Sequence, residues 1–593
     1  MRRRFRKYLM LIIKLFIGCF PLSIKKRFRQ SPYLSSLYSR NLQKSGLFYG
    51  FPSRKKLDAL YLSNIKQQDL VLQQLSCYQP KKHSFMVIVN KGKSGLLRIT
   101  LENLVHNSQI ENLWILCAED DLVKCKAVSK ELIDKPSLLS VAVKTSEFEI
   151  ITAISSAFIL FAGDIIHSKL LSIIDKLDAD TIDFFYCDTD QIVNQKRVAP
   201  QFFPDWNPDL HLSTGYVQTA IWVKDVRLFK GNNHPPKAEF VSSVVAYLWF
   251  KFGTELKVQH QPFVLVHRTT NSYFSYKNHA QNILTFADNQ FEIENADDEK
   301  KLILAWPTTS QPLVSIVIPT KNAQELVKAC IESILQKTDY QNFEILLIDN
   351  NSDDPAAITY FKELEQHPKI RLLDYPFEFN YSAINNFAVS KANGAIIGLV
   401  NNDIEVISSK WLCLMLGQVL RPDIGCVGAK LLYPDGRVQH AGVIMGYGGG
   451  AGHAHKYFPR YHMGYLNRLG ATGNYSAVTA ACLLVKKADY VAVNGLDEVA
   501  FKVAFNDVDF CLKVLGLGRR NLYCAEAELF HHESISRGFD DTHEKKTRFD
   551  NELIVLKTKW AESIESDPAY NPNLTLKREN FSIKDQKEIG INS

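Results

Sequence analysis

Short apolar runs alternate with stripes of helical spacing through the second half of this 593-residue chain. Val314-Ser315-Ile316-Val317-Ile318 is followed by Leu326, Cys330, Ile331, Ile334 and Leu335, then by runs at 344–348, 370–374 and 395–400, with helical stretches through Tyr360 and Leu364 and from Asn380 to Asn386 between them. Unbroken apolar runs of this length predict buried strands, and the i, i+3, i+4 stripes predict helices, so the order is β-α-β-α-β-α-β. Each strand runs into polar residues: Pro319-Thr320-Lys321-Asn322, Asp349-Asn350-Asn351-Ser352-Asp353, and Asn401-Asn402-Asp403. Ligands of open α/β sheets gather at that strand end, so these clusters predict one crevice.

The same alternation runs through the first half. Strand-like stretches at 84–89 and 113–117 flank a helical 96–106, an apolar run at 157–162 ends in Gly163-Asp164, and 183–186 leads into Asp188-Thr189-Asp190. A proline-punctuated loop at 200–212 and a last strand at 264–268 close this unit. The whole predicts an α/β protein in four parts: a basic helical lead-in at 1–79, a domain at 80–275, a linker at 276–311, and a larger domain with a C-terminal extension at 312–593. The linker is placed where the chain turns polar, with Asp297-Asp298-Glu299 in it and Pro307 and Pro312 at its end.

Composition agrees with folded domains: 46% apolar and 22% charged residues. The net charge of +7 is concentrated at the N-terminus, where Arg2, Arg3, Arg4, Arg6, Lys7, Lys25, Lys26, Arg27 and Arg29 flank the apolar stretch 8–24, broken by Lys14, Gly18 and Pro21. A basic amphipathic helix lying on an anionic cytoplasmic leaflet is the favoured reading; a membrane anchor and a helix packed on its own domain are the alternatives. Eleven cysteines are scattered singly, without metal spacing, which suits a reducing cytosol. No Walker loop, G-x-G-x-x-G after a strand or G-x-S-x-G elbow occurs, which argues against nucleotide hydrolysis, dinucleotide redox chemistry and serine hydrolysis.

A carboxylate after a strand is ordinarily a cap or turn residue, and Asp403 gains meaning from its company. The exit loop 319–322, Asp349, F-N-Y-S-A-I-N-N (379–386), N-N-D (401–403), A-F-N-D-V-D-F-C-L (504–512) and L-F-H-H-E-S-I-S-R-G (529–538) stand in an order that resembles a family 2 glycosyltransferase of the GT-A fold, from residue 312 to about 583. The resemblance implies inverting transfer of a sugar from a nucleotide diphosphate sugar to an acceptor hydroxyl, with Mg²⁺ or Mn²⁺. Pro319, Thr320, Asn322, Asp349, Asn380, Ser382, Asn386, Asn402 and Asp403 are expected to hold the donor, and Arg537 its diphosphate, with Glu533, Ser534 and Ser536 ordering that loop. Hard oxygen ligands suit the ion, so Asp403 is the expected direct ligand, joined by His531, with Asn401 where the family's D-x-D has its first carboxylate.

Asp507 falls at the family's base position and Asp509 two residues on. On a helix they lie about 200° apart, so only one faces the acceptor; Asp507 is the expected base, and Asp509 structural or acceptor-orienting. Gln439, His440 and His453 flank a glycine cluster, 446–452, read as a mobile lid over donor and acceptor, with a metal site as the alternative. The turn Asn494-Gly495-Leu496-Asp497-Glu498 resembles the one that precedes the family's acceptor site, and the tail 567–574 also resembles the family, without a chemical role.

The first unit resembles a second, degenerate copy: Asn90-Lys91-Gly92-Lys93 stands for the exit loop and Ala162-Gly163-Asp164 for the metal motif. The expected protein is therefore a pair of tandem GT-A-like, Rossmann-like domains. It works at the cytoplasmic face of the cell membrane as a peripheral hexosyl- or rhamnosyltransferase for a lipid-linked surface glycan such as O-antigen or capsule, with no nucleic-acid partner. The alternatives are a bifunctional transferase and a non-catalytic scaffold. A processive synthase is disfavoured by the lack of Q-x-x-R-W and of spanning helices after the catalytic domain.

Overall fold

The computed structural model describes residues 2–21, 24, 34, 37–38, 54–75, 81–105, 107–133, 140–144, 155–177, 181–229, 239–270, 274–295, 300–532, 543–585 and 588. Two mixed sheets carry the chain. The first contains β1 (His83–Val89), β2 (Ile110–Cys117), β3 (Ser140–Lys144), β4 (Ala157–Phe161), β5 (Asp164–Ile166), β6 (Phe184–Val193), β7 (Lys196–Gln201), β8 (Ile221–Val223) and β9 (Val258–Arg268), in the order β3-β2-β1-β4-β8-β6-β9-β5 with β7 beside β6. The second contains β10 (Val314–Thr320), β11 (Phe343–Asp349), β12 (Ile370–Asp374), β13 (Ile396–Val400), β14 (Ile404–Val406), β15 (Ile424–Leu432), β16 (Val438–His440), β19 (Cys482–Lys486) and β20 (Arg520–His531), in the order β12-β11-β10-β13-β19-β15-β20-β14 with β16 beside β15. A hairpin of β17 (Val443–Met445) and β18 (Ala451–His453) stands off this sheet. Strand for strand the two orders are the same, and so are the parallel and antiparallel pairings along them.

Local sequence explains the second sheet. β10 and β11 are buried along almost their whole length, as both-face burial between helices demands. Helix α4 (Gln324–Lys337) turns Val327, Cys330, Ile331 and Ile334 into the core. Helix α5 (Pro355–Leu364) is started by the Asp354 side chain, which accepts from Ala356 N–H at 3.1 Å, with proline at its first position. Asn380 caps α6 (Tyr381–Lys391) in the same way.

Further helices used below are α1 (Arg2–Gly18), α2 (Arg54–Gln73), α3 (Pro208–Thr214), α7 (Asn506–Leu515) and α8 (His543–Lys559). α1 leaves Tyr8, Ile12, Leu15 and Phe16 exposed. Among the described residues no helix is long and apolar enough to cross a membrane. The polar stretch predicted as linker contains the helix Tyr276–Ala287, whose Ala280, Ile283 and Ala287 are buried in the first core.

The halves share a buried polar joint. Tail residue Asn571 donates through Nδ2 to Asp188 (2.9 Å) and to Phe203 O (2.8 Å), and Pro568 O accepts from Asp205 N–H. Asn573 Oδ1 accepts from Asn64 on α2, and Gln68 Oε1 on the same helix accepts from Val264 N–H. Asp567 accepts from Met445 N–H at 2.6 Å and from Ser476, tying the joint to the β17–β18 hairpin. The tail that had no chemical role in the sequence is thus a bridge between sheets.

His260 sits in this joint with Nε2 3.0 Å from Asp188 and Nδ1 3.0 Å from Asp205. Burial alone favours the neutral ring, but the two carboxylates outweigh it and lift His260 to about 9. The folded protein therefore keeps a proton that the unfolded chain releases near the ordinary histidine value of about 6.5. That stabilisation is complete below about pH 6.5 and is lost as pH rises through about 9. Urea midpoints measured at both ends of this window should fall with pH, and fall less in His260→Gln; equal slopes would show that His260 carries no such charge.

Candidate active site

β13 and β20 bring the metal-motif residues together. Ile404 pairs with His531 across β14 and β20, which sets the imidazole beside Asp403, with Nε2 3.2 Å from Asp403 Oδ1. Nδ1–H donates to Gln439 Oε1 at 2.6 Å, so Gln439 orients the ring and turns the Nε2 lone pair toward the carboxylate. Asn401 Nδ2 lies 3.2 Å from the same Nε2, and Tyr381 OH donates to Asn401 Oδ1 at 3.2 Å. Asn402 Nδ2 donates to Thr320 Oγ1 (2.9 Å), which locks the motif to the exit loop of β10.

The donor set fits a divalent cation. A carboxylate oxygen and an imidazole nitrogen face each other across 3.2 Å, and the imidazole's other N–H is held by a side-chain carbonyl, the usual support of a metal-binding histidine. Among the described residues no three His, Cys, Asp or Glu form a closed metal cage. Asp403 and His531 would hold such an ion, and oxygen-favouring ions such as Mg²⁺ or Mn²⁺ tolerate few protein ligands. His532 is turned away, 3.3 Å from Glu405, whose carboxyl its hydrogen bond helps hold down at about 2.

A cavity of about 410 Å³ opens beside this group, lined by Asn401, Gln439, His453, Asp507 and His531 among the expected residues. Phe505, at φ 58° in the left-handed region, ends the loop before α7 and swings Asn506 and Asp507 into the first turn. Such an outlier in a bulky residue persists where the surroundings hold it, and here it delivers the carboxylate to the cavity. Burial pushes the Asp507 carboxyl above the ordinary carboxylate range, against hydrogen bonds from Ala480 N–H, Thr479 and Val508 N–H. Tyr381, Lys456, Thr479, Phe549 and Glu579 also line the cavity; the sequence reading missed them. Tyr381 had a signal, since it sits inside the F-N-Y-S motif.

Several expected contacts are elsewhere. Asp349 Oδ1 accepts from Ser352, and Asn322 clasps Asp353 and Asp354, so the loops after β10 and β11 are stapled into one rim that also carries Pro319. Asn380, Ser382 and Asn386 were expected on the donor, but their polar atoms brace the 494–501 turn: Asn380 donates to Glu498 O, Ser382 to Phe501 O, and Asn386 to Leu496 O. His440 is buried with Nδ1 2.9 Å from Ala429 O and Nε2 accepting from Thr479 N–H, so it supports the cavity floor and does not face an acceptor. Asp509 is buried against Trp560 Nε1 (2.8 Å) and Lys559 (2.7 Å), a structural role. Arg537 and its neighbours Glu533, Ser534 and Ser536 lie outside the described residues.

The glycine cluster is packed, contrary to a free lid. A Cβ on Gly450 would meet Leu553 of α8 at 2.6 Å, and one on Gly452 would meet Tyr447 at 2.9 Å and Glu579 at 3.1 Å. Glycine here permits close approach, with positive φ needed at Gly446, Gly448 and Gly449.

In the first sheet Asp164 holds the place of Asp403, Ala162 that of Asn401, and His267, paired with Ile165, that of His531. His267 Nδ1 is 2.6 Å from Asp190, which also accepts from Arg197 (2.7 Å) and from Tyr61 of α2 (2.5 Å). Tyr61 of α2 and Asp190 thus take up the histidine of the equivalent site.

A rim of strand-end loops, a carboxylate–imidazole pair and a buried carboxyl meet beside one cavity of an α/β domain. Residues 315–482 match the model of glycosyl transferase family 2. The "Uncharacterized protein y4gI" of Sinorhizobium fredii is 49% identical over 279 residues, 47% of this chain and 31% of that one. "O-antigen biosynthesis protein RfbC" of Myxococcus xanthus is 27% identical over 548 residues, 86% of this chain and 41% of that one. The chain thus spans well under half the length of these two relatives. "UDP-Glc:alpha-D-GlcNAc-diphosphoundecaprenol beta-1,3-glucosyltransferase WfgD" of Escherichia coli is 34% identical over 113 residues, 19% of this chain and 43% of that one.

Proposed function

We propose that the second half is a GT-A-type, inverting glycosyltransferase that moves a hexosyl or rhamnosyl unit from a nucleotide diphosphate sugar to a hydroxyl of a growing, lipid-linked surface glycan of the O-antigen or capsule kind. The observation that carries this is the shared cavity: Asp507 and the Asp403-paired His531 open onto one space large enough for a sugar. Asp507 takes the acceptor proton as the hydroxyl oxygen bonds to the anomeric carbon. The carbon–oxygen bond to the diphosphate breaks, and the nucleoside diphosphate leaves with that electron pair. Asp403 and His531 would hold the cation, which neutralises charge on the leaving diphosphate. Gln439 keeps the His531 ring in its tautomer, and Asn402 keeps Asp403 in register with the rim through Thr320. Arg537 is assigned to the diphosphate on the sequence motif alone.

The matching strand orders support reading the first half as a tandem, degenerate copy, its site histidine taken up by Asp190 and Tyr61 of α2 and its role structural. The exposed apolar side chains of α1, in a segment rich in arginine and lysine, support a peripheral place on an anionic inner leaflet. The lipid-linked acceptor is supported by the acceptor in the name of the E. coli relative.

The test is nucleoside diphosphate release with Mn²⁺ across UDP-, GDP- and dTDP-sugar donors. Turnover is expected to vanish on chelation with EDTA and in Asp403→Ala, and to persist in Asp164→Ala. Nucleoside diphosphate at a hundred times its dissociation constant should add about 2.7 kcal/mol to stability with Mn²⁺ and much less without. Neither turnover nor shift with any donor would end the enzyme reading.

A further inference from the structure

A second chamber of about 430 Å³ adjoins the cavity that holds Asp507, and the two share Ala451, Phe505, Phe549 and Glu579 in their walls. Its volume lies within the range of small-ligand pockets, about 300–1,000 Å³. The roof is the glycine hairpin and the far wall is α8 with residues 576–579. The roof lies within the stretch 315–482 that matches the family model, and the far wall lies beyond it.

Two kinds of surface meet there. Phe505 and Phe549 stand 5.2 Å apart at 43°, and Tyr447, Leu553 and Leu576 extend the apolar side. Glu579 stands half-buried at the throat between chambers, with Lys456 beside it in the first. Gly452 is what lets the Glu579 carboxylate come this close, since a Cβ there would lie 3.1 Å from its Oε1. A hydrocarbon chain drawn through this throat would strip water from the carboxylate and return no hydrogen bond, at a cost of several kcal/mol. A lipid diphosphate would meet Glu579 as a like charge, with Lys577 and Arg578 in the same wall as its only attraction, so it is the desolvation of Glu579 that tells against a lipid here. A sugar ring answers both surfaces: its C–H face lies on aromatic rings and its hydroxyls donate to a carboxylate.

We propose that this chamber is an acceptor subsite that takes the saccharide unit next to the one being glycosylated, the ring laid on Phe505 and Phe549 and its hydroxyls bound by Glu579. The assignment rests on the transferase reading, and it makes the acceptor an oligosaccharide of at least two units. Glu579 and Phe549 select the acceptor here and take no part in proton transfer. Burial lifts the Glu579 carboxyl above its ordinary value, opposed by Lys456, which is consistent with a site that a ligand hydroxyl completes.

The experiment is titration of the full-length protein, by saturation-transfer NMR, with methyl mono- and disaccharides of glucose, galactose, mannose, N-acetylglucosamine and rhamnose. At least one disaccharide is expected to bind about 10-fold tighter than its monosaccharide, a difference of the size aromatic contacts supply. Phe549→Ala should remove that advantage and Glu579→Gln should reduce it. Phe549 is already 38% exposed, so its truncation leaves the fold in place, checked by an unchanged melting temperature. Asp403→Ala should keep the advantage, because the subsite lies away from the cation pair. No binding by any member up to about 10 mM, or an advantage untouched by Phe549→Ala, overturns the subsite. A disaccharide advantage without turnover of any donor would instead sink the transferase reading and leave the saccharide site standing.

Discussion

Asp507→Asn is expected to lower sugar transfer by about 10²- to 10⁴-fold while leaving donor affinity nearly unchanged. Asparagine keeps the shape of Asp507 and can still accept from one of the two N–H groups, Ala480 or Val508, that the two carboxylate oxygens take separately, so the loop and the Phe505 outlier that aims it should persist. What is lost is a group able to take the acceptor proton. Because burial raises the Asp507 carboxyl, the acid limb of the wild-type rate should lie above the ordinary aspartate value of about 3.9. Below that limb the carboxyl is protonated and cannot act as a base; above it the rate should reach a plateau. In Asp507→Asn the limb should vanish together with the rate. A variant that retained more than about a tenth of wild-type turnover would remove Asp507 from the base role.

Much of this arrangement was legible in the chain because buried parallel strands cannot hide. β10, β11 and β13 are mostly apolar runs, and the residues after them are polar for a reason that does not depend on distant partners. Asp403, His531 and Asp507 were legible as residue types whose chemistry suits a diphosphate, a cation and a proton. Asn380, Ser382 and Asn386 were misread because a polar helix start looks alike whether it faces a ligand or a turn. Their partners, Glu498, Phe501 and Leu496, lie more than a hundred residues downstream. His440 misled in the same way, its partners being a backbone carbonyl and a backbone N–H that only the fold brings near.

Glycines carry a second ambiguity. The cluster 446–452 was read as φ freedom for a moving lid, whereas Gly450 and Gly452 serve the close approach of Leu553, Tyr447 and Glu579. Leu553 and Glu579 come from the C-terminal extension, which no local pattern could place. The charge of 297–299 likewise masked an amphipathic helix at Tyr276–Ala287 that belongs to the first core. Where the sequence reading failed, the missing information was tertiary, and it concerned how the extension and the first half close around the site.

Asp209→Ala should cost about 3–5 kcal/mol of stability, the largest single loss expected outside the active site, because it removes the carboxylate shared by buried Arg421 and part-buried Arg520 and leaves the two cations only Asp423 between them. Asp209, in the first turn of α3, lies between Arg421 and Arg520 of the second half, with Arg421 Nη1 2.5 Å from its Oδ1. Arg520 also pairs with Asp423, and the two guanidiniums lie over Trp306 and Trp249. Burial by itself would raise the Asp209 carboxyl, yet the two arginines hold it well below the usual range, so the charge is kept only while both partners are in place. The ionic joint is a poor source of stability in itself, since desolvation offsets most of its attraction, but breaking one member is costly. Chemical denaturation should therefore show the full loss in Asp209→Ala and a partial recovery when Arg421→Met is added, because the second change removes one stranded cation. The 567–573 bridge, bonded to α2 and to Asp188, joins the halves apart from Asp209, so cavity residues should keep their geometry in the fraction that remains folded. Turnover per folded molecule near the wild-type value is the expected companion result. A loss under about 1 kcal/mol, or no recovery in the double variant, would mean that water reaches these arginines and that the joint is not buried as described.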